Sequence, residues 1–236
     1  MFSFNYFSFT TAGRLLEVDK EKKNWLSAGT LIYHHNQEPH YNTGYSQIVS
    51  SIHIDIGQDW FKLYDVKIEN IEGSLEVSNP VVKQHFYKLW IQWKTELYVE
   101  QIAAEESILR TMNVLSKENL VGAGLKPAWV SLIKEMIHDL FDKKLTLTAL
   151  ATEANIHPAY LCQQFPLKFG CSMTEYIRKV KVEKAAQMLI AEPSTSLSAI
   201  AYDCGFADQS HFSRVFKNQL GLTPLEFRLM NNGQRK

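Results

Sequence analysis

Seven polar side chains share one face of a predicted helix near the carboxyl end of the chain, namely Gln209, Ser210, His211, Ser213, Arg214, Lys217 and Asn218. The opposite face is apolar, because Phe212, Phe216 and Leu220 recur at helical spacing. Amide, hydroxyl, imidazole and guanidinium groups donate hydrogen bonds to base edges and phosphate oxygens. The polar face therefore predicts contact with nucleic acid, and its alternative is an ordinary solvated helix face.

A short helix and a tight turn must position this face. Ile200 and Cys204 continue a helical apolar pattern, and Gly205 then ends it, since glycine turns a helix end at low steric cost. Asp208 can cap the second helix. Two helices joined by a glycine turn, the second rich in donors, predict a helix-turn-helix over residues 197–220.

The same pattern occurs earlier, over residues 146–169. A short helix ends at Asn155, and a second helix follows with Pro158 at its tolerated first position. Its outward positions, which we predict to face DNA, are Ala159, Tyr160, Cys162 and Gln163. Pro166 falls inside this helix, where proline costs about 3 kcal/mol, so we expect a kink or a stop near Phe165.

A long helix separates the two units. Ser172-Met-Thr-Glu175 predicts a capping box that opens about 17 residues of helix, roughly 25 Å in length. One turn of B-DNA is about 34 Å, so both second helices could enter successive major grooves. The helix carries four cations that are either phosphate contacts or a solvated face: Arg178, Lys179, Lys181 and Lys184.

Residues 1–78 predict a β-rich domain. The runs FSFNYFSF, GRLLEV, GTLIYHH and SQIVSSIHIDI are alternating, apolar or β-branched, as strands are. The pieces between them, DKEKKN, NQEPHYNTG and GQD, are turn-like. Short strands at regular spacing indicate a small sandwich or barrel.

Histidines collect in this region, at His34, His35, His40 and His53. They either form a metal site in the mouth of a barrel or lie at strand ends and in loops on a polar rim. No cysteine and no HxH spacing accompanies them, so we favour the second interpretation and predict neither a metal nor a cofactor.

The apolar spacing changes near Pro80. Apolar residues then recur at steps of three and four, at Val82, Phe86, Leu89, Trp90, Trp93 and Leu97. Residues 79–116 therefore predict a helical connector, which is either a dimer or docking interface or simple packing on the strands. Residues 117–127 contain two glycines and a proline and are predicted as a linker.

The charge distribution agrees with two domains. Residues 1–127 hold 12 Lys+Arg and 15 Asp+Glu, whereas residues 128–236 hold 13 and 10. The cationic excess of the second part favours nucleic acid as its partner. Three cysteines without ligand-like spacing indicate reduced thiols. Without a basic leader or an apolar run of about 20 residues, we expect a cytoplasmic protein and no membrane contact.

Residues 128–230 resemble the DNA-binding domain of AraC/XylS-type transcription regulators. In the second unit the resemblance lies in Ile200-Ala201, Cys204-Gly205-Phe206, Asp208 to Arg214, Phe216-Lys217, Gly221, Thr223-Pro224 and Phe227-Arg228. In the first unit it lies in Leu150-Ala151, Pro158, Tyr160-Leu161, Phe165, Gly170, Glu175-Tyr176-Ile177 and Ala185. Upstream, GTLIYHHNQEPH and SSIHIDIGQDWF resemble more loosely the later strands of a cupin-like sensor.

The resemblance implies an α+β protein of two domains, with a cupin-like first domain and an all-α domain over residues 128–236. It implies a sequence-specific DNA-binding regulator, more often an activator than a repressor, and not an enzyme. Double-stranded DNA is then the main partner. RNA polymerase, a small-molecule effector and a second copy of the chain are further partners that it implies.

Two other functions fit part of the sequence. A cupin-like domain with histidines suits a metal-dependent enzyme, and a short first domain suits a DNA-binding module without effector that a protein partner controls. Residues 1–127 contain no cysteine, which excludes the cysteine-based alkyl-transfer domain that some relatives carry. The sequence also lacks an HExxH motif and a phosphate loop.

Overall fold

A computed structural model of the protein describes residues 4–19, 22–35, 39–66, 74–95, 101–120 and 127–233. The chain divides into two compact units, residues 1–121 and residues 122–236. The fold is α+β, because the described strands all lie in the first unit and the second is helical. No helix among the described residues is long and apolar enough to cross a membrane.

Two antiparallel sheets form the first unit. Their strands are β1 Asn5–Ala12, β2 Arg14–Asp19, β3 Lys22–Ser27, β4 Leu31–His34, β5 His40–Thr43, β6 Ser50–Ile56 and β7 Ser74–Glu76. One sheet has the order β6-β1-β4-β7 and the other the order β3-β2-β5. Leu15 and Leu26 of the second sheet pack with Ile32 of the first and with Val49, so the sheets share a core.

Three predicted turns of this unit are partly wrong. Lys22 to Asn24 belong to β3, because that strand pairs with β2 from Lys22 to Ser27. β5 lies inside the stretch NQEPHYNTG, because it pairs with the other edge of β2. Helix α1, Gln58–Leu63, begins within GQD and buries Phe61. Pairing with β2 decides the first two cases: β3 is its hairpin neighbour, whereas β5 pairs with it from a distant part of the sequence, which local composition does not record. Residues 20–21 and 36–38 of the predicted turns lie outside the described residues.

Helix α2, Pro80–Lys94, packs its aromatic face on strand β1. The ring centroid of Phe9 lies 6.1 Å from that of Phe86 and 5.0 Å from that of Tyr87. The interpretation as packing on the strands is therefore confirmed for this face. Trp93 is 62% exposed, so its predicted place on the buried face is wrong.

Helix α3, Gln101–Leu120, follows and buries Met112. Its backbone is helical past residue 116, so the beginning of the predicted linker 117–127 is helix instead. Leu97 and residues 121–126 lie outside the described residues.

The second unit is built around one long helix, α7. The helices described in this unit are α4 Ala128–Asp139, α5 Leu147–Glu153, α6 Pro158–Phe169, α7 Met173–Ala191, α8 Leu197–Asp203, α9 Gln209–Leu220 and α10 Pro224–Asn231. α7 contacts α4, α6, α8, α9 and α10 and buries Val180, Ala185 and Leu189 completely. The two predicted helix-turn-helix units are α5–α6 and α8–α9.

Helix α6 continues through Pro166 to Phe169, so the predicted stop near Phe165 is wrong. The rings of Phe165 and Phe169 stack with centroids 4.1 Å apart, and Tyr176 meets Phe169 edge-on at 5.0 Å. Gly170 closes the helix at a φ of 78° and donates its N–H to the Pro166 carbonyl at 2.9 Å. These buried contacts and this cap stabilise the last turn despite the hydrogen bond that proline removes.

Candidate nucleic-acid interface

The two units turn between their helices in the same way. Asn155 and Gly205 both have positive φ angles, 52° and 66°. The next residues, Ile156 and Phe206, donate their N–H groups back to a carbonyl of the preceding helix at 3.0 and 2.9 Å. A side chain at position 205 would meet backbone, since a Cβ there would lie 2.2 Å from the Asp142 carbonyl oxygen. The structure therefore requires glycine in the second turn.

Side-chain caps fix the start of each second helix. Asp208 accepts the backbone N–H of His211 at 2.7 Å, which confirms the predicted cap of α9. His157 caps α6, because its Nδ1 accepts the N–H of Ala159 at 3.2 Å. Both helices therefore begin at defined residues, which sets which side chains they present.

Helix α9 has the predicted two faces. Phe212, Phe216 and Leu220 are buried. The predicted contact residues lie on the other side, where Gln209, Ser210, Arg214 and Lys217 are exposed and His211 and Ser213 are half-buried. Thus all six side chains are accessible in this unit.

The two cations of α9 differ in their surroundings. Arg214 forms no hydrogen bond or ion pair with another residue in the described part of the chain. Lys217 lies near Glu226, whose pKa is lowered by hydrogen bonds from Thr223 and, to a smaller extent, by the Lys217 ammonium. A guanidinium without an intramolecular partner can pair with two acceptors at once, such as O6 and N7 of guanine or two phosphate oxygens.

Two other polar residues of α9 are held by neighbours. Ser198 of α8 donates its hydroxyl to Oε1 of Gln209 at 2.6 Å, which leaves the Gln209 amide N–H groups to point elsewhere. The ring of His211 packs on Phe206 with centroids 5.7 Å apart, and its Nδ1 accepts the N–H of Ala207 at 3.5 Å. Sequence reasoning missed Ser198, whose only signal was a polar residue on the exposed side of a short helix.

The predicted contact residues of helix α6 are neutral. The predicted residues Ala159, Tyr160, Cys162 and Gln163 are all exposed. The ring of Tyr160 meets the buried Trp129 edge-on at 6.2 Å, so this ring is partly held by α4. Cys162 is an exposed free thiol. This face offers hydrogen bonds and contact area but no charge.

Three of the four cations predicted along α7 are used within the domain. Lys181 donates to the Gly205 carbonyl at 2.5 Å, and burial lowers the pKa of its ammonium. Lys184 lies 5.7 Å above the ring of Phe141, and Lys179 pairs with Glu175 at 3.3 Å. These contacts favour an internal role for the three lysines, whereas Arg178 is exposed.

Cys204 is a core residue, as predicted. It is fully buried, its thiol donates to the Met188 sulfur at 3.7 Å, and burial raises its pKa to about 12. A thiol with so high a pKa is a poor nucleophile at neutral pH.

The histidines of the β-rich unit, residues 1–121, differ in burial. His34 ends β4 and is 1% exposed, so the expectation of a polar rim is wrong for this residue. His40 begins β5 and is half-buried, whereas His53 on β6 is exposed. His35 is half-buried as well. The carboxylate of Glu17, a residue that sequence reasoning passed over, lies 3.6 Å from Nε2 of His34.

A family of helix-turn-helix domains matches residues 150–230. The chain is 34% identical over 107 residues to the Msm operon regulatory protein of Streptococcus mutans, a match that covers 44% of this chain and 38% of that protein. It is 36% identical over 103 residues to the bifunctional transcriptional activator/DNA repair enzyme AdaA of Bacillus subtilis, covering 44% of this chain and 48% of that protein. The chain thus matches less than half of the length of these curated relatives.

Among solved structures, the C-terminal domain of AraT, a response regulator from Geobacillus stearothermophilus, is 30% identical. That match covers 45% of this chain and 87% of the other, with a TM-score of 0.41. The family match at residues 150–230 coincides with the two units that repeat the same capped helices and the same turn. Residues 150–230 therefore form a domain of this helix-turn-helix family.

Proposed function

We propose that this chain is a sequence-specific transcription regulator that binds double-stranded DNA through helices α6 and α9. The observation that carries the proposal is the pair of helix-turn-helix units in one domain, each with an accessible second helix. In such units the second helix lies in the major groove and its side chains reach base edges.

The length of α7 supports simultaneous binding by both units. It has 19 residues, which corresponds to about 28 Å. One turn of B-DNA advances about 34 Å, so two helices held by such a spacer suit successive major grooves on one side of the duplex. The expected operator therefore has two half-elements about one helical turn apart.

The contacts divide into base-reading and positioning roles. Arg214 suits bidentate pairing with guanine, and Gln209 suits adenine through its amide. Lys217 suits a phosphate. The remaining predicted contacts to base edges or backbone are Ser210, His211 and Ser213 on α9 and Ala159, Tyr160, Cys162 and Gln163 on α6.

The β-rich unit, residues 1–121, supplies regulation in this proposal. Residues 1–78 sense a small molecule or mediate dimerisation, residues 79–116 connect, and residues 128–236 bind DNA. An effector that favours one arrangement of the DNA-binding domains shifts the population towards it and changes which sites are occupied. We propose a cytoplasmic, non-enzymatic activator that contacts RNA polymerase. Activation is supported by the name of AdaA, a transcriptional activator.

Selection of duplexes from a random pool by the purified full-length chain tests the proposal. We expect an enriched motif of two half-elements with centres about 10 base pairs apart. A double variant, Arg214→Ala with Lys217→Ala, is expected to lose the motif. The matched control is Arg110→Ala with Lys62→Ala, which removes the same charge from exposed residues of the first unit.

The outcomes separate DNA reading from unspecific attraction. Enrichment that survives in the control and disappears in the α9 variant supports sequence reading by α9. A pool that stays random, or equal losses in both variants, contradicts the proposal. Mapping of occupied sites in cells, with expression measured after deletion of the gene, then gives the sign of regulation.

A further inference from the structure

We propose that Glu17, His34 and His40 form a binding site for a divalent first-row transition-metal ion in the first unit. One ligand atom from each residue lies within 4.8 Å of the other two. The residues come from β2, β4 and β5, so the ion would join the two sheets. This inference concerns the first unit and does not depend on DNA binding.

The distances are close to those that a metal needs. Zn²⁺ binds imidazole nitrogen and carboxylate oxygen at about 2.0–2.2 Å, which places two tetrahedral ligands about 3.3 Å apart. Nε2 of His34 and Oε2 of Glu17 are 3.6 Å apart. Small side-chain movements therefore suffice to bring these two atoms onto one ion.

Neighbouring residues orient the two imidazoles. Nδ1 of His34 lies 3.0 Å from the Ser74 hydroxyl, and this contact directs Nε2 towards Glu17. The Tyr6 hydroxyl lies 2.8 Å from Nε2 of His40, and the Tyr6 ring stacks on His34 with centroids 4.4 Å apart. Metal-binding histidines are commonly held in this way, with an outer residue fixing the ring.

The carboxylate of Glu17 is buried and only partly satisfied. Glu17 is 1% exposed, and its Oε1 has no hydrogen-bond partner among the described residues. A buried carboxylate oxygen without a hydrogen-bond partner is costly, and a bound cation would offset that cost.

The surroundings of the cluster add negative charge. Asp19, which faces His40 across the β2–β5 ladder, is buried, and its Oδ1 also lacks a hydrogen-bond partner among the described residues. Tyr6 lines a pocket of about 250 Å³ together with Phe4, His53 and Asp55. None of the three proposed ligands is among the residues that line this pocket, so it adjoins the cluster only through Tyr6.

The donor set selects the class of ion. Two imidazoles and one carboxylate suit Zn²⁺, Fe²⁺ or Mn²⁺ and leave coordination positions open for water or a small ligand. Mg²⁺ and Ca²⁺ prefer oxygen ligands, so they are expected to bind poorly.

Titration of the metal-free full-length chain with Zn²⁺ tests the site. We expect one Zn²⁺ per chain by calorimetry and a higher melting temperature of the first unit, because the ion binds only the folded state. Mg²⁺ is expected to produce neither effect. Glu17→Gln, which preserves shape, and His40→Ala are each expected to weaken Zn²⁺ binding by more than about 100-fold.

His53→Ala provides the matched control, because His53 stacks on Tyr6 but lies outside the ligand set. Its Zn²⁺ affinity is expected to stay within about threefold of the unchanged chain. Binding that is absent in the unchanged chain, or that persists in the Glu17→Gln and His40→Ala double variant, overturns the proposal. If both ligand variants fail to fold, the visible spectrum of the Co²⁺-loaded unchanged chain decides. Intense bands of a low-symmetry nitrogen and oxygen site support the proposal, and their absence overturns it.

Discussion

The first and second helix-turn-helix units have the same backbone plan but expose different chemistry. Both have a capped short helix, a left-handed residue in the turn and a second helix that ends at a left-handed glycine. The second unit exposes Arg214 and Lys217, whereas the predicted contact face of α6 is neutral. A duplicated scaffold can therefore position two helices equally while only the predicted contact face of α9 carries cations, since the exposed Lys168 of α6 lies outside the predicted set.

The turns also differ in how tightly they pack. Gly205 approaches the Asp142 backbone so closely that a Cβ would overlap it, and Lys181 donates to its carbonyl. The first helix-turn-helix unit uses Asn155, a residue with a side chain, at the same point. The second turn is thus more strongly built into the core of its unit, which suits a helix that must present side chains accurately.

The largest expected difference between the units follows from this packing. Gly205→Ala combines a left-handed backbone with overlap at Asp142, so it should destabilise the second unit by about 3 kcal/mol. Asn155→Ala should cost about 1 kcal/mol, because only the backbone preference changes. Amide hydrogen exchange followed by mass spectrometry should show α8 and α9 exchanging about 100-fold faster in Gly205→Ala.

Gly221→Ala separates the two causes. Gly221 has a φ of 86°, but nothing lies within 4 Å of an added Cβ, so this variant reports the backbone cost alone. Equal acceleration of exchange in Gly205→Ala and Gly221→Ala would show that the contact with Asp142 contributes nothing.

The next largest expected difference concerns DNA. Arg214→Ala should weaken binding to the selected operator by about 10- to 100-fold, because it removes a bidentate or phosphate contact. Gln163→Ala on α6 should weaken it by about threefold, because a neutral positioning contact contributes little. Fluorescence anisotropy at several salt concentrations measures both affinities and the salt slope, which should fall only for Arg214→Ala if it binds phosphate. Equal losses would remove the proposed division of labour.

The helical domain was largely predictable from its sequence because its signals are local. The caps at Thr146, Ser172, Asp208 and Thr223 hydrogen-bond to nearby N–H groups within their own helices. Gly205 likewise ends α8 through its own backbone geometry. The failure at Pro166 shows the limit of this reasoning, because contacts between buried aromatic rings outweigh a local cost.

The structure of the β-rich unit, residues 1–121, was predicted less well because it depends on residues that are distant in the sequence. β5 forms only because β2 lies beside it, and β2 is also the strand that carries Glu17. Neither His34 nor His40 has a ligand-like spacing to Glu17 in the sequence. Pairing of β2 with β5 and the packing of that sheet against the sheet of β4 bring the three together. For the DNA-facing helix, exposure was predictable from periodicity, whereas the hydrogen bond from Ser198 to Gln209 depends on how two helices pack.

A smaller effect is expected from restoring a regular α6. Pro166→Ala returns an N–H to the helix interior and relieves the proline clash, which should raise stability by about 1–2 kcal/mol after the gain in unfolded-state freedom is subtracted. Calorimetry of the full-length chain should show a higher melting temperature for the helical unit, residues 122–236, which contains α6. Leu167→Ala is the control, since Leu167 is 74% exposed and its loss should change little. A lower melting temperature for Pro166→Ala would indicate that the helical unit requires the rigidity of proline at this position.

The smallest expected difference tests how the second helix-turn-helix unit orients the polar side chains of α9. Ser198→Ala removes the hydroxyl that holds Gln209, and operator affinity should fall about two- to threefold, as for the loss of one modest hydrogen bond. Thr148→Ala changes the corresponding position of α5 and should have no effect, since the Thr148 hydroxyl has no hydrogen-bond partner among the described residues and the bond from the Thr152 hydroxyl goes to the Thr148 backbone carbonyl. A double-mutant cycle sharpens the assignment, because Ser198→Ala should cost nothing further in a Gln209→Ala chain. If the two losses add independently, Ser198 acts on DNA by itself, and the difference between the units lies in the contacts they make rather than in how firmly their side chains are held.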